Sequence, residues 1–280
     1  MSLEDDFCDI IKKARVGQGL SVEELARRTE LPATAIAAWE RGSPPSQRQD
    51  VRALAAGLGL RPVPLEQIVI DQWTPRTRRH PDWVETVFGS IGGYGVQGYV
   101  LHDEGEAVVV DTAYNAPAMI EFLAARGLRL LAVCLTHGHA DHAEGIDRLL
   151  RHREVPVYLG PEDVALLDWK PRIDLLAGPN DGRTIRVGRL NVQCMETPGH
   201  TPGGICYRVD DAQHPVCFVG DTLFAGSIGR SNPAALYRAH LDSVGQRVLA
   251  LSPGYHLLPG HGPATTVEEE QAHNPFYSVG

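Results

Sequence analysis

The chain has 280 residues, enough for one large domain or two smaller ones. Apolar residues make up 43% of the sequence and charged residues 22%, which excludes a largely disordered or collagen-like chain. The formal charge is −9 at pH 7. Such an acidic chain is not expected to be a general nucleic-acid binder, because phosphate affinity depends on Lys and Arg.

The N-terminus and the cysteines predict a cytoplasmic protein. The chain begins M-S-L-E-D-D, without the basic start and apolar core of a signal peptide. No run of about 18 apolar residues occurs, so no association with a membrane is expected. The five cysteines are widely spaced and form no CxxC pair, which is typical of reduced structural thiols.

Residues 1–62 predict a small all-α domain. Four helices are expected, at about 4–16, 21–29, 32–41 and 46–58. Ser21 and Glu24 form a capping box at the start of the second helix, and Pro32 suits the first turn of the third.

Residues 63–83 predict a linker, because four prolines fall close together between 62 and 81. Within it, residues 65–70 are interpreted as a strand or a packing arm. Residues 84–280 have the pattern of strands, Gly-rich turns and helices that is typical of a mixed α/β domain. Paired strands are expected at 98–101 and 107–111, followed by a helix near 116–126 and a strand at 130–135.

The strongest chemical signal is the run T-H-G-H-A-D-H at 136–142, directly after that last strand. Three later turns add a His or an Asp, each next to Gly or Pro: His200, Asp221 and His261. The small neighbours let the backbone turn so that these side chains can point to one place. Imidazole and carboxylate ligands suit zinc, iron or manganese.

The order HxHxDH, H, D, H resembles the metallo-β-lactamase superfamily. Within it, G-D-T-L-F-A-G-S-I-G-R at 220–230 and L-P-G-H-G-P-A-T-T at 258–266 are similar to the glyoxalase II-like (hydroxyacylglutathione) hydrolases. This resemblance covers about residues 84–277. It implies an α+β fold, an αββα sandwich with metal ions at one edge of two packed sheets.

The same resemblance implies two divalent metal ions, with zinc expected and iron or manganese also compatible. Seven residues would hold them: His137, His139 and His200 the first, Asp141, His142 and His261 the second, with Asp221 bridging both. A shared water of lowered pKa would supply a hydroxide that attacks a carbonyl carbon. Asp141 and Asp221 are the candidate catalytic residues.

The expected substrate is a small acyl thioester. Arg230 falls where the family has a glutathione-binding Lys, and is expected to bind a substrate carboxylate, although Asn232 replaces the aromatic partner. The chain ends soon after His261, so the C-terminal helical domain of eukaryote-type glyoxalase II is not expected. Residues 161–178, with Leu166, Leu167 and Trp169, are expected either to wall the substrate pocket or to pack in the core.

Three other activities are compatible with this pattern. True β-lactamases of the superfamily have a Cys or a non-ligand residue where Asp221 stands, so β-lactam hydrolysis is disfavoured. A lactonase is the nearest alternative. A mononuclear iron enzyme resembling persulfide dioxygenases would use the positions of His137, His200 and Asp221.

The segments G-L-S-V-E-E-L-A-R-R at 19–28 and I-A-A-W-E-R-G at 36–42 resemble the phage-repressor-like helix-turn-helix family. The resemblance implies that helix 32–41 enters a major groove, with Thr34 and Arg48 as candidate DNA contacts. However, base edges are read by polar side chains, and Thr34 is the one polar residue at the start of that helix.

Two functions therefore compete for the whole chain. One is a cytoplasmic metallohydrolase whose helical domain only assembles or localises it, and a homodimer is expected. The other is a DNA-binding transcription regulator whose hydrolase domain senses or destroys its effector.

Overall fold

The computed structural model describes residues 1–76, 79–168 and 173–277. The N-terminal region has five helices among these residues: α1 Phe7–Gly17, α2 Val22–Thr29, α3 Ala33–Trp39, α4 Arg48–Leu58 and α5 Pro62–Val69. The first four confirm the helices expected from the sequence. At the start of α2, Ser21 Oγ accepts a hydrogen bond from Glu24 N at 3.1 Å, and the Glu24 carboxylate accepts one from Ser21 N at 2.7 Å, so the capping box is confirmed.

The fifth helix corrects the interpretation of residues 65–70 as a strand or arm within a linker. Pro62 lies in the first turn of α5, where its missing N–H costs nothing. Leu65 and Ile68, three positions apart, are buried on one face of the helix. The carboxylate of Glu66, also buried, forms ion pairs with Arg52 and Arg48 of α4. The prolines therefore begin a helix here.

The described residues after α5 include two six-stranded sheets. The first has the order β1-β2-β3-β4-β5-β6, and the second β12-β11-β10-β9-β8-β7. The strands are β1 Val84–Ile91, β2 Tyr94–Asp103, β3 Glu106–Val110, β4 Arg129–Cys134, β5 Val157–Tyr158, β6 Leu176–Ala177, β7 Thr184–Val187, β8 Leu190–Glu196, β9 Ile205–Val209, β10 Val216–Gly220, β11 His256–Pro259 and β12 Thr265–Thr266. β2 and β3 pair antiparallel, as expected, whereas β3 with β4 and β10 with β11 are parallel.

Helices cover both outer faces of the two sheets. The remaining helices are α6 Ala116–Ala125, α7 Ala140–Ala143, α8 Ile146–His152, α9 Tyr237–Ser243 and α10 Val267–His273. One apolar cluster fills the space between the sheets, including Leu101, Val110, Tyr207 and Phe218. A second packs α6 and α8 onto the first sheet, through Met119 and Leu149. The expected αββα sandwich is therefore confirmed.

The N-terminal helices share a third apolar cluster with the outer face of the second sheet. Ile10 of α1 and Leu54 of α4 belong to the same cluster as Cys217 of β10 and Leu257 of β11. The Trp73 ring, just after α5, stacks on His273 of α10 with centroids 4.7 Å apart. The helical region is therefore packed directly on the sandwich. Within the part of the chain that is described, no helix is both long and apolar enough to cross a membrane.

Candidate metal centre

The candidate site lies where the carboxyl ends of parallel strands meet. Residues 136–142 follow β4, Asp221 follows β10 and Gly260-His261 follows β11, while His200 lies in the β8–β9 connection. β10 and β11 are parallel neighbours in the second sheet, so Asp221 and His261 leave the same edge of that sheet. β4 belongs to the first sheet, and the loop after it meets these residues across the sandwich.

The structure brings together all seven residues named as ligands from the sequence. They form three groups whose ligand atoms lie within 4.8 Å of one another: His137, His139 and His200; His137, Asp141 and His142; and His142, Asp221 and His261. The carboxylate of Asp221 lies centrally, with Oδ1 3.2 Å from His142 Nε2 and Oδ2 3.6 Å from His200 Nε2. Its Oδ2 is also 3.6 Å from His261 Nε2.

Three buried atoms of this cluster have no hydrogen-bond partner among the described residues: His137 Nε2, His142 Nε2 and Asp221 Oδ1. Leaving a buried polar atom unpaired costs about 1–3 kcal/mol, so three in one place call for a ligand that satisfies them together. Imidazole nitrogen and carboxylate oxygen are donors for a divalent metal ion. The residues present therefore fit the metal centre that the motif implies.

Hydrogen bonds fix the orientation of three imidazoles. Each donates its Nδ1–H to a fixed acceptor: His142 to Asp111 Oδ2 at 2.8 Å, His200 to the Arg230 carbonyl at 2.8 Å, and His261 to the Gly95 carbonyl at 2.7 Å. In each ring the proton is held on Nδ1, which leaves the Nε2 lone pair for a metal ion.

Two buried carboxylates that the sequence did not reveal support the site. Asp111, directly after β3, also accepts hydrogen bonds from Thr136 N and Oγ1, both at 2.7 Å. It therefore holds His142 and the start of the histidine-rich loop in one arrangement. A carboxylate immediately after an apolar strand was the signal that could have indicated it.

Asp163 joins the two loops that carry the first histidine group. Its carboxylate accepts from Gly138 N at 3.1 Å, Thr201 Oγ1 at 2.6 Å and Gly203 N at 2.8 Å. It lies in a short 3-10 helix, Pro161–Leu166, and no local sequence pattern indicates its role. Of the neighbours considered as a pocket wall, Leu167 packs against the core of the first sheet, Leu166 is 37% exposed, and Trp169 lies outside the described residues.

The electrostatics of the site favour metal-binding forms of two histidines. Burial, with His142 and His200 nearby, holds the pKa of His137 well below its usual value. Burial also lowers the pKa of His200 to about 4. Both rings are therefore neutral at pH 7, the form that binds metal. Burial opposes ionisation of Asp221, but His142 and His261 hold the pKa of its carboxyl well below the usual value.

Two glycines allow the backbone to approach these side chains. A Cβ at Gly260 would lie 2.3 Å from His142 Cε1, and one at Gly229 would lie 2.9 Å from His200 Nδ1. Any side chain at either position would displace a histidine.

The remaining candidates lie away from the cluster. The Arg230 side chain is exposed, on a residue whose carbonyl contacts His200. Thr34 is exposed near the start of α3. Arg48 forms ion pairs with Glu66 at 3.1 Å and with Asp71 at 2.5 Å, so it faces α5 and the residues after it.

Comparison with known proteins gives the class. Residues 91–267 match the family described as the metallo-beta-lactamase superfamily, and residues 10–68 match a helix-turn-helix domain family. The chain belongs to the metallo-beta-lactamase superfamily, and it carries an N-terminal helix-turn-helix domain.

Two relatives are similar over most of their own length. A probable metallo-hydrolase of Bacillus subtilis, YqgX, is 30% identical over 203 residues, covering 66% of this chain and 94% of the relative. The hydroxyacylglutathione hydrolase GloC of Haemophilus influenzae is 31% identical over 192 residues, covering 63% of this chain and 90% of the relative.

Two solved structures share the fold at 30% identity. The BLEG-1 B3 metallo-beta-lactamase superposes with a TM-score of 0.60, covering 70% of this chain and all of that one. The protein TTHA1623, solved in a di-iron-bound form, gives a TM-score of 0.58 and covers 69% of this chain and 99% of its own. The chain is therefore a metallohydrolase-type protein with a candidate site for divalent metal.

Proposed function

We propose that the protein is a dinuclear metallohydrolase of small acyl thioesters. The observation that carries this is the convergence of seven histidine and aspartate side chains around three buried, unpaired ligand atoms. We assign His137, His139 and His200 to the first metal ion, Asp141, His142 and His261 to the second, and Asp221 to both. Zinc is the metal we expect.

The metal ions, when bound, acidify a water molecule and polarise the substrate carbonyl. The chain supplies the geometry for this chemistry. Asp221 spans both histidine groups, so its carboxylate fixes their separation. Asp141, whose side chain is 30% exposed and whose Oδ2 lies 3.2 Å from His261 Nε2, faces the open side. It is placed to orient a water molecule and to accept its proton.

The choice of thioester follows from two features. The similarity to the Haemophilus influenzae hydroxyacylglutathione hydrolase covers 63% of this chain, and Arg230 provides an exposed cation on the loop that contacts His200. A thioester whose thiol half carries a carboxylate can be oriented by that cation.

The test combines metal analysis with a substrate screen. We expect two metal ions per chain in protein purified without chelator, and hydrolysis of lactoylglutathione with a high KM. If metal-loaded protein leaves acyl thioesters intact but opens lactones or oxidises persulfides, the thioesterase assignment is wrong. One metal ion or fewer per chain would contradict the dinuclear site and favour the mononuclear iron alternative.

We also propose that the helix-turn-helix domain binds DNA, with α3 in the major groove and Thr34 facing the bases. The match of residues 10–68 to a helix-turn-helix family supports this. Arg48 can contact a phosphate only by leaving its ion pairs with Glu66 and Asp71, of which the Asp71 pair is solvent-exposed and therefore weak. A gel shift with the promoter of its own operon, at stated salt, tests this. If the protein does not shift the DNA even at low salt, the proposal that the helical region binds DNA is wrong.

A further inference from the structure

The helical region lines a cleft beside the metal centre. The cleft has a volume of about 170 Å³ and lies between α1 and the loop that follows Asp221. Lys12, Lys13 and Val16 of α1 form one wall, and Arg230 and Ser231 form the other. Two regions that the sequence assigns to separate domains therefore build one concave surface.

Specific contacts hold the two walls in place. Lys13 Nζ donates a hydrogen bond to the Ile228 carbonyl at 2.9 Å, and the Asp5 carboxylate accepts from Lys13 Nζ and from Ser227 Oγ, both at 2.5 Å. At the end of α1, a Cβ on Gly17 would lie 2.4 Å from the Tyr237 ring. The helix and the loop are therefore packed too closely for an independent hinge motion between them.

The cationic side chains that line the cleft differ in exposure and in pairing. Lys13 is neutralised by Asp5 and is only 15% exposed. By contrast, Lys12 and Arg230 are both exposed, and neither has an ion-pair partner in the described ranges 1–76, 79–168 and 173–277. Asp9, the one acidic residue of the lining, accepts a hydrogen bond from Asp6 N and keeps its negative charge, so the lining carries three cations against one anion. Two unpaired cations therefore remain.

The cleft begins next to the metal site. The Arg230 carbonyl accepts the Nδ1–H of His200, so one residue forms part of the cleft wall and also positions a candidate metal ligand. The thiol half of a substrate whose carbonyl lies at the metal centre would therefore pass His200 to reach the cleft.

We infer that this cleft binds the anionic part of the thiol half of the substrate, with Lys12 and Arg230 as its two cations; this depends on the proposed thioesterase function. The group bound is a carboxylate or a phosphate, because both accept charge-assisted hydrogen bonds from ammonium and guanidinium groups. The helical region is then a specificity element of the hydrolase. Lys12 lies 218 positions before Arg230 in the sequence, and a sandwich without the helical region lacks it.

The kinetic test compares Lys12→Ala with Arg28→Ala, which removes an exposed cation from α2 instead. Three thioesters separate the sources of charge: lactoylglutathione carries carboxylates, acetyl-coenzyme A carries phosphates, and S-acetyl-N-acetylcysteamine is neutral. We expect Lys12→Ala to raise KM for one anionic thioester about two- to fivefold with kcat nearly unchanged, since an exposed ion pair is worth up to about 1 kcal/mol. Lys12→Arg should restore the KM. The neutral thioester and Arg28→Ala should show wild-type kinetics.

A binding measurement separates this inference from the proposed activity. Isothermal titration calorimetry with S-methylglutathione and with coenzyme A requires no turnover. If no thioester is cleaved but either ligand binds more weakly to Lys12→Ala than to Arg28→Ala, the cleft assignment stands and the proposed function fails. If thioesters are cleaved and Lys12→Ala matches wild type in KM and in binding of both ligands, the cleft assignment is overturned. Loss of DNA binding in Lys12→Ala with unchanged KM would overturn it as well.

Discussion

Replacing Asp111 by Asn should impair the second metal site while leaving the fold intact. Asp111 Oδ2 accepts the Nδ1–H of His142 at 2.8 Å, and Oδ1 accepts Thr136 N at 2.7 Å. In the variant, the amide oxygen must face the Thr136 N–H, so the amide NH2 group faces His142 Nδ1. Because two donors cannot pair, the His142 proton moves to Nε2, the atom that would bind the metal ion.

The expected loss of metal affinity follows from the usual strength of the hydrogen bonds that orient metal-binding histidines. Loss of a carboxylate that orients a metal-binding histidine typically weakens metal affinity 10- to 100-fold, which is about 1.4–2.7 kcal/mol. We expect that loss at the second site only, since His137, His139 and His200 do not contact Asp111. The metal-free variant should unfold within a few degrees of wild type, because Asn preserves the shape and the Thr136 N contact, and the Thr136 hydroxyl can rotate to accept a hydrogen bond from the amide.

The assay is competition for zinc against a chromophoric chelator, with metal counted by elemental analysis. Asp163→Asn is the matched control, because its carboxylate supports the loops of the first histidine group instead. We expect one tightly bound ion to remain in Asp111→Asn. Two ions bound with wild-type affinity in that variant would refute the proposed role of Asp111 in setting the His142 tautomer.

Three further predictions concern the ligands, the substrate and stability. Asp221→Ala should lower metal content at both sites and His261→Ala chiefly at the second; equal, unaltered metal content in the two variants would disprove the assignment. Arg230→Ala should raise KM for an anionic thioester more than it lowers kcat, if the contact is equally strong in the ground and transition states; an unchanged KM would contradict a role in binding. Burial raises the pKa of Glu270 from 4.5 to about 7, so the folded state binds this proton more tightly than the unfolded chain. Protonated Glu270 therefore adds about 3 kcal/mol to the free energy of unfolding. This contribution is fully present below about pH 4.5 and is lost as the pH rises through 7. Glu270→Gln should flatten this part of the pH profile in urea unfolding, and an identical profile would contradict the raised pKa.

Elements and motifs that depend on neighbouring residues could be predicted from the sequence. Ser21 and Glu24 cap α2 because the two positions are three residues apart in any helix. The run from His137 to His142 could be read as a ligand cluster because its side chains come from one tight turn after a strand. The candidate ligands His200, Asp221 and His261 were recognisable because each lies in a distinctive Gly- or Pro-flanked turn.

The carboxylates that hold the candidate ligand loops in place could be identified only from the tertiary structure. Asp111 and Asp163 act through hydrogen bonds to residues 25 or more positions away, and no local spacing encodes such contacts. Residues 65–70 lacked a local pattern that distinguishes strand from helix, and packing against α4 and α10 selects the helix. The cleft between α1 and Arg230 exists because the apolar faces of the helical region and of the second sheet are buried in one shared cluster.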